Sequence, residues 1–143
     1  MPTRKAHARW EGSLKAGRGR MDFGSGAFTG AYSFASRFED GAGTNPEELL
    51  GAAHAGCFAM ALSLVLGQAG FEAEYVDATA HVTIMQREDG FKITKSHLVC
   101  EAKVAGLEQA TFVQHAEGAR KGCPVSQALE GVEITVDAKL VST

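Results

Sequence analysis

TNPEELLGAAHAGCFAMALSLVLG, residues 44–67, dictates how the rest of the chain must be arranged. Asn45 is placed to cap a helix. Pro46 suits the first helical position, where no amide N–H is needed, and Glu47 and Glu48 fall in the positive first turn. From Leu49 to Leu66 there is no formal charge, and apolar residues lie on every face instead of along one stripe. That pattern predicts a helix enclosed on all sides. Near its middle is one thiol, Cys57, and a thiol in an apolar helix reads first as inert packing. The same 18 uncharged residues just reach the length of a bilayer span. Gly51, His54, Gly56 and Ser63 dilute the run, and neither flank carries a basic or aromatic anchor. We therefore read it as the core helix of a globular domain, with no membrane partner.

Upstream of this helix, HARWEG, GRGRMDFG and GAYSFASRFEDG read as three short strands joined by turns. In the third, Tyr32, Phe34 and Phe38 alternate with Ser33, Ala35 and Arg37, which turns Arg37 away from the aromatics as a solvated strand residue. Downstream, Gly70 closes the helix. Ala80, Val82 and Ile84 then alternate with Thr79, His81 and Thr83, and Asp89-Gly90 signals a hairpin because both residues tolerate positive φ. On the returning strand, Phe91 to Val104, one face carries Leu98, Cys100, Ala102 and Val104 and the other Lys95, His97, Glu101 and Lys103. Cys100 is thus a small core side chain.

From Glu108 to Lys121 the spacing of Phe112, Val113, Ala116 and Ala119 predicts an amphipathic helix, with Gly122 as its left-handed stop. Pro124 then opens a short turn whose N-cap is Cys123. Amide dipoles at that position favour a thiolate, so Cys123 is either reactive or a plain capping thiol. Val132, Ile134, Val136, Ala138 and Leu140 alternate with charged and polar residues in a final half-buried strand. The order of elements predicts an α+β fold, mostly antiparallel, in one domain spanning 1–143. A single sheet covers one side of the central helix, so a second subunit is expected to cover another.

With 14 basic and 17 acidic residues and a net charge of −3, the chain offers no electrostatic reason to bind nucleic acid. The basic N-terminal MPTRKAHARWEG has no apolar run behind it, so no secretory signal is read and a cytoplasmic location is expected. Three cysteines, an odd number, do not describe a disulfide framework. No CxxC occurs, and His54 and Cys57, one helical turn apart, have no further ligands near them in sequence. No metal site is expected.

RFEDGAGTNPEELLGAAHAGCFAMALSLVLGQAGF, followed some sixty residues later by KGCPVSQAL, resembles the osmotically inducible protein C (OsmC) family, within the wider group that includes organic hydroperoxide resistance proteins. The likeness runs from HARWEG to the last strand. The arginine in SRFE, just before the helix, places the chain nearer the OsmC branch. Gly56 stands where the family often has alanine.

The resemblance implies an OsmC-like fold, an intertwined homodimer with two sites at the interface, and a thiol peroxidase that reduces organic hydroperoxides, and hydrogen peroxide less well, without metal, flavin or other cofactor. It assigns Cys57 as the peroxidatic cysteine and Cys123 as the resolving cysteine, with Arg37 and Glu47 as the polar pair beside the thiolate. It further implies reduction by an external dithiol such as a lipoylated protein.

The nucleophile must be a thiolate, and an apolar helix alone raises a thiol pKa, so a cation such as Arg37 is required. Its fork can meet both sulfur and a peroxide oxygen, with Glu47 orienting it. Glu47 and Cys57 are ten positions apart, about 15 Å along one helix. Direct contact therefore favours a site shared between subunits. His54, one turn before Cys57 on the same face, could assist it but reads first as a core or backbone-bonded histidine, while Arg18 and Arg20 in GRGR compete with Arg37 for the arginine role. Phe58, Met60 and Leu62 make the surroundings apolar, which suits alkyl hydroperoxides. A redox sensor that uses the same cysteine pair without turnover, and a dimeric carrier of small apolar ligands, are the alternatives.

Overall fold

HARWEG and GRGRMDFG do form strands, as expected. In the computed structural model, which describes residues 1–141, β1 (Ala6–Glu11) and β2 (Arg18–Phe23) pair antiparallel with Ala6 opposite Phe23. β3 (Thr29–Tyr32) adds to β2 with Tyr32 opposite Gly19. Trp10 lies opposite Gly19 on the other side, so the two aromatics meet across the glycine with ring centroids 5.3 Å apart. A Cβ at Gly19 would lie 2.4 Å from Tyr32 Cε1 and 2.7 Å from Trp10 Cε3. This sheet belongs to the first of two compact units, Met1–Leu49, and the second runs from Leu50 onward.

The expected third strand stops early. Ser33 caps a short helix, α1 (Phe34–Phe38): its hydroxyl accepts the Ser36 N–H at 3.1 Å, and Ser36 Oγ accepts the Ser33 N–H at 2.8 Å. Phe34 and Phe38 are four residues apart, which is helical spacing as well as strand alternation, and their rings stack at 5.0 Å. The reciprocal serine cap decides between the two. Arg37 is consequently in the last turn of a helix, not on a strand.

α2 (Pro46–Gln68) begins where predicted. Asn45 Oδ1 accepts the Glu48 N–H at 2.7 Å, and Asn45 Nδ2 donates to the Ser36 carbonyl at 3.0 Å, tying α1 to the start of α2. At the far end the Phe71 N–H donates to the Leu66 carbonyl at 2.9 Å, with Gly70 at φ +88°.

In the second unit β4 (Ala73–Arg87) and β5 (Gly90–Val104) form an antiparallel hairpin. Arg87 pairs with Gly90, so the loop is Glu88-Asp89. Only Gly90 takes a positive φ; Asp89 needs none. β6 (Glu133–Val141) lies beside β5 in parallel, in the order β4-β5-β6. Parallel neighbours need a long crossover, supplied here by α3 (Gln109–Gly122) and α4 (Pro124–Ala128). Gly122 is not the left-handed stop expected. The Cys123 N–H still bonds to the Ala119 carbonyl, and the chain leaves the helix at Cys123 with φ −60° and ψ 124°. Pro124 forces that turn, because a residue before proline is driven from the helical region.

One face of the β4–β6 sheet carries the core. Leu98, Cys100, Ala102 and Val104 of β5 share it with Phe58, Leu62 and Leu66 of α2 and with Phe112, Ala116 and Ala119 of α3. Gly51 brings α2 close to β4, where a Cβ would lie 3.4 Å from the Ala80 carbonyl oxygen. The helix is not enclosed on all sides within the chain. His54, Phe58, Leu62 and Leu66 are fully buried, but Met60 and Leu64 on its outer side are 77% and 62% exposed. The reason is geometric: a sheet is one layer and covers one side of a helix.

Candidate active site

Two pairs of predicted residues meet. In the first unit Arg37 and Glu47 form a fork. Nη2 and Nε of the guanidinium donate to Glu47 Oε1 at 2.7 and 3.1 Å, and Nε also reaches Oε2 at 3.3 Å. Glu47 is nearly buried and Arg37 about one-third exposed, stacked 5.2 Å from the centre of the Phe38 ring. Pro46 and the Asn45 cap fix Glu47 in the first turn of α2, and the Ser33 cap fixes Arg37 in the last turn of α1. Of the other two candidate arginines, Arg18 is exposed with Glu11 at 3.7 Å, and Arg20 donates to Thr29 Oγ1 at 3.2 Å.

In the second unit Cys57 and Cys123 are hydrogen-bonded to each other as free thiols. Cys57 is half-buried on α2, and Cys123 is fully buried at the start of α4. Cys123 holds the N-cap position expected, yet its sulfur makes no capping bond; it meets Cys57 instead. Burial pushes the Cys57 thiol above its ordinary pKa, and the hydrogen bond with Cys123 and that residue's charge push the same way. The backbone N–H of Val125 donates to the Cys57 sulfur and pulls against them.

Val125 was not visible as a site residue in the sequence, since a backbone donor carries no side-chain signature. Pro124 was the available clue: a proline opening a helix leaves the next amide free to point outward.

His54, one turn before Cys57, is fully buried and bonded at both ring nitrogens, though to side chains and not to the backbone as one reading allowed. Nδ1 lies 2.6 Å from Ser96 Oγ on β5, and Nε2 lies 2.8 Å from Ser126 Oγ on α4. Burial lowers its pKa, so the ring is held neutral.

Cys100 stands apart from this chemistry. It is buried on β5, its thiol pushed up to about 11 by burial and then by the Asp137 carboxylate. Among the described residues, no group of three or more His, Cys, Asp or Glu could hold a metal ion.

Residues 39–137 match the family described as OsmC-like protein. The chain is 49% identical over 140 residues to Peroxiredoxin OsmC of Escherichia coli (strain K12), covering 97% of each. It is 33% identical over 97 residues, 66% of each chain, to Organic hydroperoxide resistance protein OhrA of Bacillus subtilis (strain 168). The crystal structure of Organic Hydroperoxide Resistance Protein OhrB of Bacillus subtilis superposes with a TM-score of 0.71 at 26% identity, over 97% of this chain and 98% of that one. The α+β arrangement is the fold these proteins share, and the chain belongs to the OsmC-like protein family.

Proposed function

We propose that the protein is a cysteine-based peroxidase that reduces organic hydroperoxides to alcohols, and hydrogen peroxide less well. The observation that carries this reading is the meeting of Cys57 with Cys123 under the Val125 N–H. Kinship with a peroxiredoxin and with organic hydroperoxide resistance proteins supports it.

The Cys57 thiolate attacks one peroxide oxygen, the O–O bond breaks, and the alkoxide takes a proton to leave as alcohol. Cys57 is then a sulfenic acid. The Cys123 sulfur displaces hydroxide from it, water leaves, and a Cys57–Cys123 disulfide closes. An external dithiol, such as a lipoylated protein, returns two electrons and two protons to restore both thiols.

Arg37 and Glu47 are proposed to serve the thiolate: the guanidinium stabilises sulfur and departing oxygen, and the carboxylate orients the fork. α2 is unbroken from Pro46 to Gln68, and ten positions on it are about 15 Å. A homodimer in which the Arg37–Glu47 pair of one chain serves Cys57 of the other removes that gap. The exposed Met60 and Leu64, with Ser63, Gly67 and Gln68 around a shallow hollow, give α2 an apolar outer side for a second copy to cover. The chain would act as one domain in the cytoplasm.

The test is to mix reduced protein with cumene hydroperoxide and map the thiols by mass spectrometry. A loss of two hydrogens located at Cys57 and Cys123 is expected. Thiols unchanged at high peroxide would refute the reading.

A further inference from the structure

Helix α4 is five residues long, too short to hold its shape alone, yet it carries both groups that touch Cys57. Cys123 stands at its N-cap and Val125 in its first turn. The next residue, Ser126, is buried and bonded to His54 Nε2 at 2.8 Å. His54 in turn is bonded through Nδ1 to Ser96 Oγ at 2.6 Å, on the middle strand of the sheet. His54 and Cys57 lie on adjacent turns of α2. One neutral imidazole thus ties together the strand, the helix that carries the attacking thiol and the short helix that carries the second thiol. Its single N–H and single bare nitrogen require one serine to accept and the other to donate, so rotation of α4 breaks a bond that buried surroundings cannot replace.

We propose that His54, held between Ser96 and Ser126, is a positioning residue for disulfide closure: it fixes α4 so that Cys123 stands in line with the Cys57 sulfenic acid when water leaves. The inference rests on the peroxidase reading. His54 touches no reacting atom in this account and transfers no proton to peroxide. Closure must outrun a second peroxide's attack on the sulfenic acid, and a small misplacement of the attacking sulfur slows closure far more than it slows the first step.

The test is rapid mixing of reduced protein with cumene hydroperoxide, quenching at intervals and measuring sulfenic acid, disulfide and sulfinic acid at Cys57 by mass spectrometry. Ser126→Ala is expected to slow closure by about tenfold or more, to change first-step oxidation less, and to raise the sulfinic fraction at matched peroxide. Ser126→Thr, which keeps the hydroxyl, should restore closure. Should Ser126→Ala fail to fold, Ser96→Ala removes the far end of the same link without touching α4, and slower closure with more sulfinic acid is again expected. A folded variant that closes within about twofold of the wild type, or one in which both steps slow equally, overturns this inference alone. A wild-type protein that forms no Cys57–Cys123 disulfide overturns the peroxidase reading first, and this inference with it.

Discussion

Cys57 and Cys100 are both thiols on apolar faces, both raised in pKa by burial, and they have opposite prospects. Cys100 is sealed between β4 and β6, opposite Ala78 and Ala138, with an acidic neighbour in Asp137. Each sulfur has a backbone donor, Val125 for Cys57 and Lys139 for Cys100, but Cys57 keeps partial access to solvent and faces a second sulfur. Under the proposed peroxidase cycle, burial alone would not separate an inert thiol from a reactive one; access and a second sulfur would.

The sharpest way to break the comparison is to remove the thiols one at a time. Cys57→Ser should drop hydroperoxide consumption to the uncatalysed background, since no other exposed thiol replaces it. Cys123→Ser should consume about one equivalent per chain quickly and a second more slowly, as sulfenic acid at Cys57 goes on to sulfinic acid, and then stall. Both are read by peroxide assay and peptide mass spectrometry. A smaller effect concerns the histidine that links the strand of Cys100 to the helix of Cys57. The folded pKa of His54 lies below its ordinary 6.5, so below 6.5 the unfolded chain binds a proton that the folded chain refuses. Its contribution to stability is complete above 6.5 and is lost as pH falls toward the lowered folded value, by at most about 1.4 kcal/mol per pH unit. Thermal melts from pH 7.5 to 5 should show this decline, and His54→Gln should flatten it. The smallest effect belongs to Cys100→Ala: peroxidase rates within about twofold of the wild type and a stability loss of about 1 kcal/mol, measured by denaturant titration.

Much of the arrangement was legible in the chain. The Asn45-Pro46 start of α2, the alternation of β4, β5 and β6, the hairpin between β4 and β5, and the Cys123-Pro124 start of α4 were all readable from local chemistry. Arg37 was misplaced on a strand because Phe34 and Phe38 satisfy either period, and Ser33, whose cap settles the matter, fits the strand alternation as well. The cover of α2 within one chain follows the single-sheet argument: one side is buried, and Met60 and Leu64 are left exposed. Composition reports what a helix would need to bury, whereas the sheet decides which side is buried. Contacts that join residues distant in the chain left no local mark: the bond from His54 to Ser96 spans 42 positions and that to Ser126 spans 72.

The parallel pairing of β6 with β5 bears on when the thiol pair exists at all. Cys123 sits inside the crossover, and β6, which follows it in the chain, anchors the far end of that crossover. Pairing across such a separation comes late in folding, because loop closure costs entropy before the contacts return it. Before β6 pairs, Cys57 has no anchored second sulfur beside it. The meeting of Cys57 with Cys123 thus depends on a strand that neither residue belongs to.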